Sequence, residues 1–281
     1  SLVVLAWLDE MLRNFLWVPL TAYAKQVGLS TNFVGTLFAL NVGARFFPNF
    51  LVTQIGAQTE LFVMLAVFAG YAVAFQFSAA PWALYALAVG AGVGFVRPCV
   101  TLHAQALCKG DIDALSKASR QCGVARTLAD VCSFLMPAAV FDTVGWSGVT
   151  AFGASLSIGY LLLALPLHYR PEGGGQDDAH SRTGGGGALV EEVLPGSPTG
   201  IRVIDWALSA AFVSTELQSN LWNTAVPAAL VHSYRFSTHF VGSTISLGCL
   251  VAFVYLAMLP SLPNFFNQRR PLNLLISYTG M

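Results

Sequence analysis

Long apolar runs without charged side chains dominate the pattern of this chain. The stretch from Leu61 to Val96 contains no Asp, Glu, Lys or Arg, and the same is true of Thr143 to Tyr169 and of Phe236 to Gln268. Each run exceeds the roughly 20 apolar residues that a helix needs to cross a bilayer. The period-2 alternation of strands is not seen, so the pattern predicts an all-α polytopic membrane protein.

Turn-forming residues divide these runs into eight predicted spans and the start of a ninth. The breakers are Gly28 with Ser30, Gly56, Pro81, Gly110 and Gly145. The predicted spans are 2–24, 31–54, 61–79, 81–107, 118–143, 146–169, 203–231 and 238–262, followed by a segment from 271 onward. Pro98 predicts a kink in the fourth span. Because the chain begins with Ser1 and ends inside an apolar segment, we expect truncation at both ends.

One connection divides the chain into two parts. Residues 170–202 combine glycine runs, paired acids and prolines, which is typical of a flexible solvated linker. The sequence STNFVG at Ser30–Gly35 returns as STHFVG at Ser237–Gly242, an offset of 207 residues. We therefore predict an N-terminal six-helix bundle at 1–169, a linker at 170–202 and a partial second bundle at 203–281. Six spans return the chain to its starting side, so the bundles are predicted to be parallel repeats.

Composition supports this class, and the basic residues predict an orientation. The chain is 55% hydrophobic and only 10% charged, which excludes a soluble enzyme. Loops after even-numbered spans hold eight Lys and Arg residues and those after odd-numbered spans hold two, which predicts a cytoplasmic N-terminus and linker. The five cysteines have no metal-ligand spacing, so we expect no metal site and no cofactor. The expected partners are a small solute, protons and the lipid bilayer, with no nucleic acid and a monomeric state.

Several segments resemble the major facilitator superfamily. Pro19 to Pro48, PLTAYAKQVGLSTNFVGTLFALNVGARFFP, is similar to the region of spans 1 and 2 in drug–proton antiporters and sugar-efflux members of that family. Gly123 and Pro137 match the first glycine and the proline of its span-5 motif, and GWSGVTAF at 145–152 resembles the start of its span 6. The resemblance implies two six-helix bundles that move a solute by alternating access.

The loop after the second span departs from the family pattern. Residues 49–58 keep Leu51 and Gly56 but have uncharged residues where the family has charges that latch the inner gate. Gly56 is a candidate gating residue, together with Arg45 in the cytoplasmic half of the second span. For Arg45 the alternative is a guanidinium that snorkels to the membrane interface.

Eight ionisable side chains lie inside predicted spans, where each costs at least roughly 2.5–3.5 kcal/mol at the bilayer centre. They are Asp9, Glu10, Arg13, Arg45, Arg97, Arg126, Asp130 and Glu216. Asp9 with Arg13, and Arg126 with Asp130, are four residues apart, which predicts two local ion pairs. Glu10 can also reach Arg13 or Asn14. Arg97 has no acid within four residues, which predicts a partner on another helix or an anionic substrate.

Glu216 differs because it lies among amides in the seventh predicted span, which suits a binding cavity. We assign proton coupling to Asp9, Asp130 and Glu216. We assign substrate binding to Arg13, Asn14, Arg97, Arg126, Glu216, Asn220 and Asn223. The structural alternatives are ion pairs and hydrogen bonds to neighbouring helices. His103, near the end of the fourth span, is predicted to be interfacial.

These observations favour a secondary transporter that moves a small solute by alternating access, with proton coupling and with antiport preferred. The first alternative is a transporter of organic or inorganic anions that uses the intramembrane arginines. The second is a membrane receptor or scaffold on the same fold, which the uncharged loop after the second span suggests. No catalytic constellation is found, so we predict that the protein is not an enzyme.

Overall fold

The computed structural model describes residues 2–78, 80–168 and 225–258, and every regular element within those ranges is a helix. The helices are α1 (Leu2–Asn14), α2 (Trp17–Gln26), α3 (Thr31–Ala44), α4 (Phe46–Ile55), α5 (Thr59–Gln76), α6 (Pro81–Val93), α7 (Arg97–Cys108), α8 (Ile112–Val144), α9 (Trp146–His168) and α10 (Thr238–Met258). A 3₁₀ turn at Gly56–Gln58 joins α4 to α5. Residues 225–232 are also helical. The linker at 170–202 and the segment from 271 onward lie outside the described residues.

Four helical stretches in the described part of the chain are long and apolar enough to cross a membrane. They are Thr31–Gln76, which contains α3, α4 and α5, then Pro81–Cys108, Ile112–Val144 and Trp146–His168. The prediction of a helical protein with membrane-spanning segments agrees with this finding. A shorter apolar helix follows at Thr238–Val251.

Prolines account for the interruptions inside the first, second and fourth predicted spans. Proline has no N–H to donate to the carbonyl four residues earlier, and its ring crowds that carbonyl. Pro19 lies four residues after the break at Phe15, Pro48 lies four residues after the end of α3, and Pro98 lies five residues after the end of α6. The kink predicted at Pro98 is confirmed as an open turn at residues 94–96. Pro137 and Pro166 lie inside α8 and α9, which continue through them.

The ends of several helices meet at one end of the molecule. The hydroxyl of Tyr23 donates to the carbonyl of Ser78, just after α5. The ring of Tyr23 stacks on Trp146, the first residue of α9, with centroids 4.4 Å apart. Lys25 Nζ donates to the carbonyl of Val231 at 2.5 Å. The connections after the first, third, fifth and seventh predicted spans therefore lie together.

The other ends of α5 and α9 meet at the opposite end of the molecule. Glu60, in the first turn of α5, contacts His168, the last residue of α9, and His103 near the end of α7. Glu60 and Ser78 lie at opposite ends of α5, and Trp146 and His168 lie at opposite ends of α9. The helices thus run up and down between two faces.

The repeated hexapeptide has the same local structure in both copies. Ser30 caps α3 by accepting a hydrogen bond from Phe33 N at 3.2 Å, and Ser237 accepts one from Phe240 N at 3.2 Å as α10 begins. A serine is among the best N-caps because its side chain satisfies a free helix amide. Each serine is preceded, two residues earlier, by a positive φ: +74° at Gly28 and +59° at Arg235. The second copy keeps the turn although an arginine has replaced the glycine.

Helix α10 packs along α8, and the two helices approach closely at Gly242. A Cβ atom at Gly242 would lie 2.5 Å from the carbonyl oxygen of Phe134 and 2.7 Å from Ala138 Cβ. Nearby, Ser246 Oγ donates to the carbonyl of Val131 at 2.7 Å. The segment after the linker is therefore held directly against the segment before it.

This packing predicts different effects of one substitution in the two copies of the repeat. Gly242→Ala is expected to destabilise the protein by about 1–3 kcal/mol, since the added methyl group meets backbone that has no room to move. Gly35→Ala is the matched control, because a Cβ atom there has no neighbour within 4 Å. Thermal unfolding in detergent measures both. Equal melting temperatures for the two variants would contradict the close approach of α8 and α10.

Candidate functional site

Six ionisable side chains converge where α1, α7 and α8 meet. They are Asp9, Glu10, Arg13, Arg97, Arg126 and Asp130. A cavity of about 400 Å³ lies among them, within the range of roughly 300–1,000 Å³ that small-molecule sites occupy. The described residues that line it are Glu10, Arg13, Asn14, Arg97, Gly123, Arg126, Thr127, Asp130, Phe134 and Cys249. Cys249 belongs to α10, so the cavity has walls from both sides of the linker. We call this the central cavity.

Glu10 is the most highly connected group in the central cavity. Its Oε1 accepts a hydrogen bond from Arg13 Nη1 at 3.1 Å and one from Asn14 Nδ2 at 3.5 Å. Its Oε2 accepts one from Arg97 Nη2 at 2.5 Å. The two guanidinium carbons each lie 5.7 Å from the ring centroid of Phe95, a separation at which a cation is attracted to an aromatic face. Glu10 thus holds two arginines in one place.

Asp9 lies at the break between α6 and α7. The turn at 94–96 frees backbone amides that a continuous helix would use, and Val96 N donates to Asp9 Oδ1 at 3.3 Å. A carboxylate at the start of a helix is also favoured by the helix dipole, and α7 begins at Arg97. Pro98, which breaks the helix, therefore also creates the binding position for Asp9.

Asp130 and Asn14 join α8 to α1 across the cavity. Asn14 Nδ2 donates to Asp130 Oδ1 at 2.7 Å. The hydrogen bond between Asp130 and the neutral Asn14 amide therefore links α8 to α1 at the cavity.

Arg126 is the least satisfied cation in the cavity. Its Nε is buried, has no hydrogen-bond partner in the described part of the chain and lies 4.0 Å from Asp9 Oδ2. Its side chain is 19% exposed. Such a guanidinium retains donors for a further acceptor, since it carries five N–H groups in a fixed plane.

The pairing differs from the one predicted along single helices. Arg126 faces Asp9 of α1 rather than Asp130, so the predicted Arg126–Asp130 pair is wrong. Arg13 pairs with Glu10, the alternative three residues away, because Asp9 is directed towards the amide of Val96. Helix α8 packs against α1, and cross-helix partners therefore compete with those one turn away. The prediction that Arg97 has a partner on another helix is confirmed by Glu10.

Arg45 and Gly56, the candidate gating residues, are not among the described residues that line the central cavity. Arg45 is buried at the junction of α3 and α4, where its Nε and Nη2 donate to Asn41 Oδ1 at 3.2 and 3.0 Å. Asn41 in turn donates to the carbonyl of Ala88 on α6 at 3.0 Å. Gly56 ends α4 with φ +59°. Glu216, Asn220 and Asn223 lie outside the described residues.

A second polar cluster has no counterpart in the sequence analysis. It consists of Glu60, His103, Tyr160 and His168, and we call it the Glu60 cluster. Glu60 Oε1 lies 2.6 Å from His103 Nε2 and 2.6 Å from His168 Nε2, and Tyr160 Oη donates to Glu60 Oε2 at 2.8 Å. His103 is 7% exposed and lies near the end of α7, and its predicted position at the membrane interface stays a prediction. The only signal in the sequence was an acid and two histidines at the ends of predicted spans.

Comparison of the chain with known protein families finds no matching family. Comparison with curated proteins finds no significant match either. The resemblance to the major facilitator superfamily therefore stays a prediction from the sequence, and the geometry of the central cavity carries the functional argument.

Proposed function

We propose that this protein is a secondary transporter of the major facilitator type, which moves a small solute through the central cavity by alternating access. The observation that carries the proposal is the cavity itself. It brings three acids and three arginines together at a helix break among apolar helices. Charged groups at membrane depth are costly and typically mark substrate or proton pathways. Interrupted helices that line a midplane cavity are a common feature of secondary transporters.

The arrangement of helix ends supports a multi-pass topology. The connections after the odd-numbered predicted spans meet around Tyr23. The start of α5 and the ends of α7 and α9, which border the even-numbered connections, meet around Glu60. A chain that crosses a membrane repeatedly produces this alternation. The contact between Lys25 and Val231 joins corresponding positions of the two repeats at the same face, as parallel bundles require.

Asp130 is the best candidate for the proton carrier within this proposal. Asp130 Oδ1 accepts a hydrogen bond from the neutral amide of Asn14, whereas Asp9 and Glu10 lie within 4.0 Å of Arg126 and Arg97 respectively. Ionisable groups at membrane depth typically belong to proton or substrate pathways. Proton binding at Asp130 would alter its hydrogen bond with Asn14, and thus the contact between α1 and α8.

The test is proton flux driven by solute in proteoliposomes of the full-length protein. A trapped pH dye reports protons while a panel of sugars, amino acids, organic acids and lipophilic cations is added from outside. Solute-driven proton movement is expected for the parent protein and is expected to be lost in Asp130→Asn. Asp113→Asn is the matched control, because Asp113 is an exposed aspartate in the first turn of the same helix. Solute uptake that ignores an imposed pH gradient and persists in Asp130→Asn would refute proton coupling.

The second candidate function is transport of an anion, and Arg126 favours it. Its buried Nε lacks a hydrogen-bond partner among the described residues. A carboxylate or phosphate group in the central cavity would supply an acceptor matched to the guanidinium plane. Proton coupling and an anionic solute are compatible, since a proton taken up with the anion reduces the charge that is moved.

A further inference from the structure

We propose that Glu60, His103 and His168 form a binding site for a divalent transition-metal ion of the zinc type. The three side chains come from the start of α5, from α7 and from the end of α9. Their ligand atoms all lie within 4.8 Å of one another. The site is separate from the central cavity, and its occupancy does not depend on whether the protein transports a solute.

The charge of Glu60 motivates a cation at this position. The Glu60 side chain is 0% exposed, and burial of an isolated carboxylate is very costly unless it is paired. Within the described residues, the only basic groups in ion-pair distance of it are the two imidazoles. Protonated histidine or a bound cation would balance this charge. Two neutral imidazoles and a carboxylate are the ligand set of several zinc sites.

The geometry directs both imidazoles at the same point. Nε2 of His103 and Nε2 of His168 each lie 2.6 Å from Glu60 Oε1, and the rings stand at 74° to each other. Tetrahedral zinc with bonds of about 2.0–2.2 Å separates neighbouring ligand atoms by about 3.3 Å. Each contact would need to open by about 0.7 Å, which small rotations of the side chains supply. Three protein ligands leave a fourth position for water or another group.

The surroundings resemble the outer shell of a metal site. Tyr160 Oη donates to the second oxygen of Glu60 at 2.8 Å, and such a bond orients a ligating carboxylate. The side chains of His103 and His168 are 9% and 12% exposed, so both imidazoles lie close to the surface of the protein. Imidazole and carboxylate ligands suit zinc, cobalt and nickel better than magnesium or calcium.

The experiment measures metal binding to the purified full-length protein in detergent. Equilibrium dialysis against Zn²⁺ in the micromolar range is expected to give one ion per chain. Co²⁺ is expected to produce the visible absorption of a tetrahedral nitrogen and oxygen site. His103→Gln and His168→Gln are each expected to weaken Zn²⁺ binding by more than about 100-fold. Tyr160→Phe, which removes only the outer hydrogen bond, is expected to weaken it by about tenfold.

His239→Gln is the matched control, because His239 is exposed on α10 and distant in sequence from the cluster. It is expected to bind Zn²⁺ as the parent does. Zn²⁺ is also expected to raise the melting temperature of the parent and of this control, but not of His168→Gln, since only the folded site binds the ion. Absence of stoichiometric Zn²⁺ in the folded parent, or equal binding in the two histidine variants and the parent, would overturn the proposal in favour of protonated histidines.

Discussion

Replacement of Glu10 with glutamine is expected to abolish transport and to lower the free energy of unfolding by about 3 kcal/mol. Glutamine preserves the shape of the side chain but removes the charge that Arg13 and Arg97 share. The two guanidiniums would then repel each other beside Phe95. The expected loss lies at the lower end of the range for broken buried ion pairs, because the Arg97 side chain is 35% exposed and its charge is partly screened by solvent.

Thermal unfolding in detergent and solute-driven flux in proteoliposomes measure the two effects of Glu10→Gln. Glu10→Asp keeps the charge on a shorter side chain and is expected to be less damaging than Glu10→Gln. The double variant Glu10→Gln with Arg97→Gln removes one of the two guanidiniums that Glu10 contacts and is expected to recover part of the stability, which a double-mutant cycle quantifies. If Glu10→Gln matches the parent in both measurements, Glu10 does not organise the cavity.

Arg126→Gln is expected to raise KM for an anionic solute by roughly 10- to 100-fold, the equivalent of about 1.5–3 kcal/mol for a hydrogen bond to a charged group. The substitution removes the cation that faces Asp9 and the buried Nε that has no partner in the described residues. Arg126→Lys keeps the charge without the planar pair of donors, so its KM should lie between those of the parent and Arg126→Gln.

Uptake of organic and inorganic anions into proteoliposomes measures this effect. The matched control is Arg120→Gln, because Arg120 is an exposed arginine on the same helix, α8. Uptake of neutral solutes should change much less than uptake of anions. An unchanged KM for every anion tested in Arg126→Gln would argue against the anion hypothesis while leaving the proton hypothesis open to its own test with Asp130.

Helix positions were largely predictable from the apolar pattern. The predicted spans 118–143 and 146–169 correspond to α8 and α9, and 61–79 corresponds to α5. The breaks were less predictable. Of Pro19, Pro48, Pro98, Pro137 and Pro166, only the first three coincide with an interruption of the helix. A proline always removes one backbone hydrogen bond, whereas packing around the helix determines whether the axis continues.

The candidate site was predictable as a set of residues but not as a set of partners. Asp9, Arg13, Arg97, Arg126 and Asp130 stood out because ionisable groups are rare in apolar helices. Spacing along one helix predicted an Arg126–Asp130 pair that the structure does not form. The Glu60 cluster was not predicted, because Glu60 precedes the third predicted span by one residue, and 43 and 108 residues separate it from the two histidines.

The sequence by itself determined that the chain is helical, that its helices are apolar enough to cross a membrane, and that two copies of one capped helix start occur in it. These properties depend on local periodicity, composition and capping residues, which act over a few residues. Only the tertiary structure decided which charges meet. Asp9 reaches an amide freed by Pro98, Glu10 holds arginines from α1 and α7, and Glu60 joins three helix ends. Such contacts depend on the rotation and depth of packed helices, and the periodicity of one helix carries no information about the depth of its neighbours.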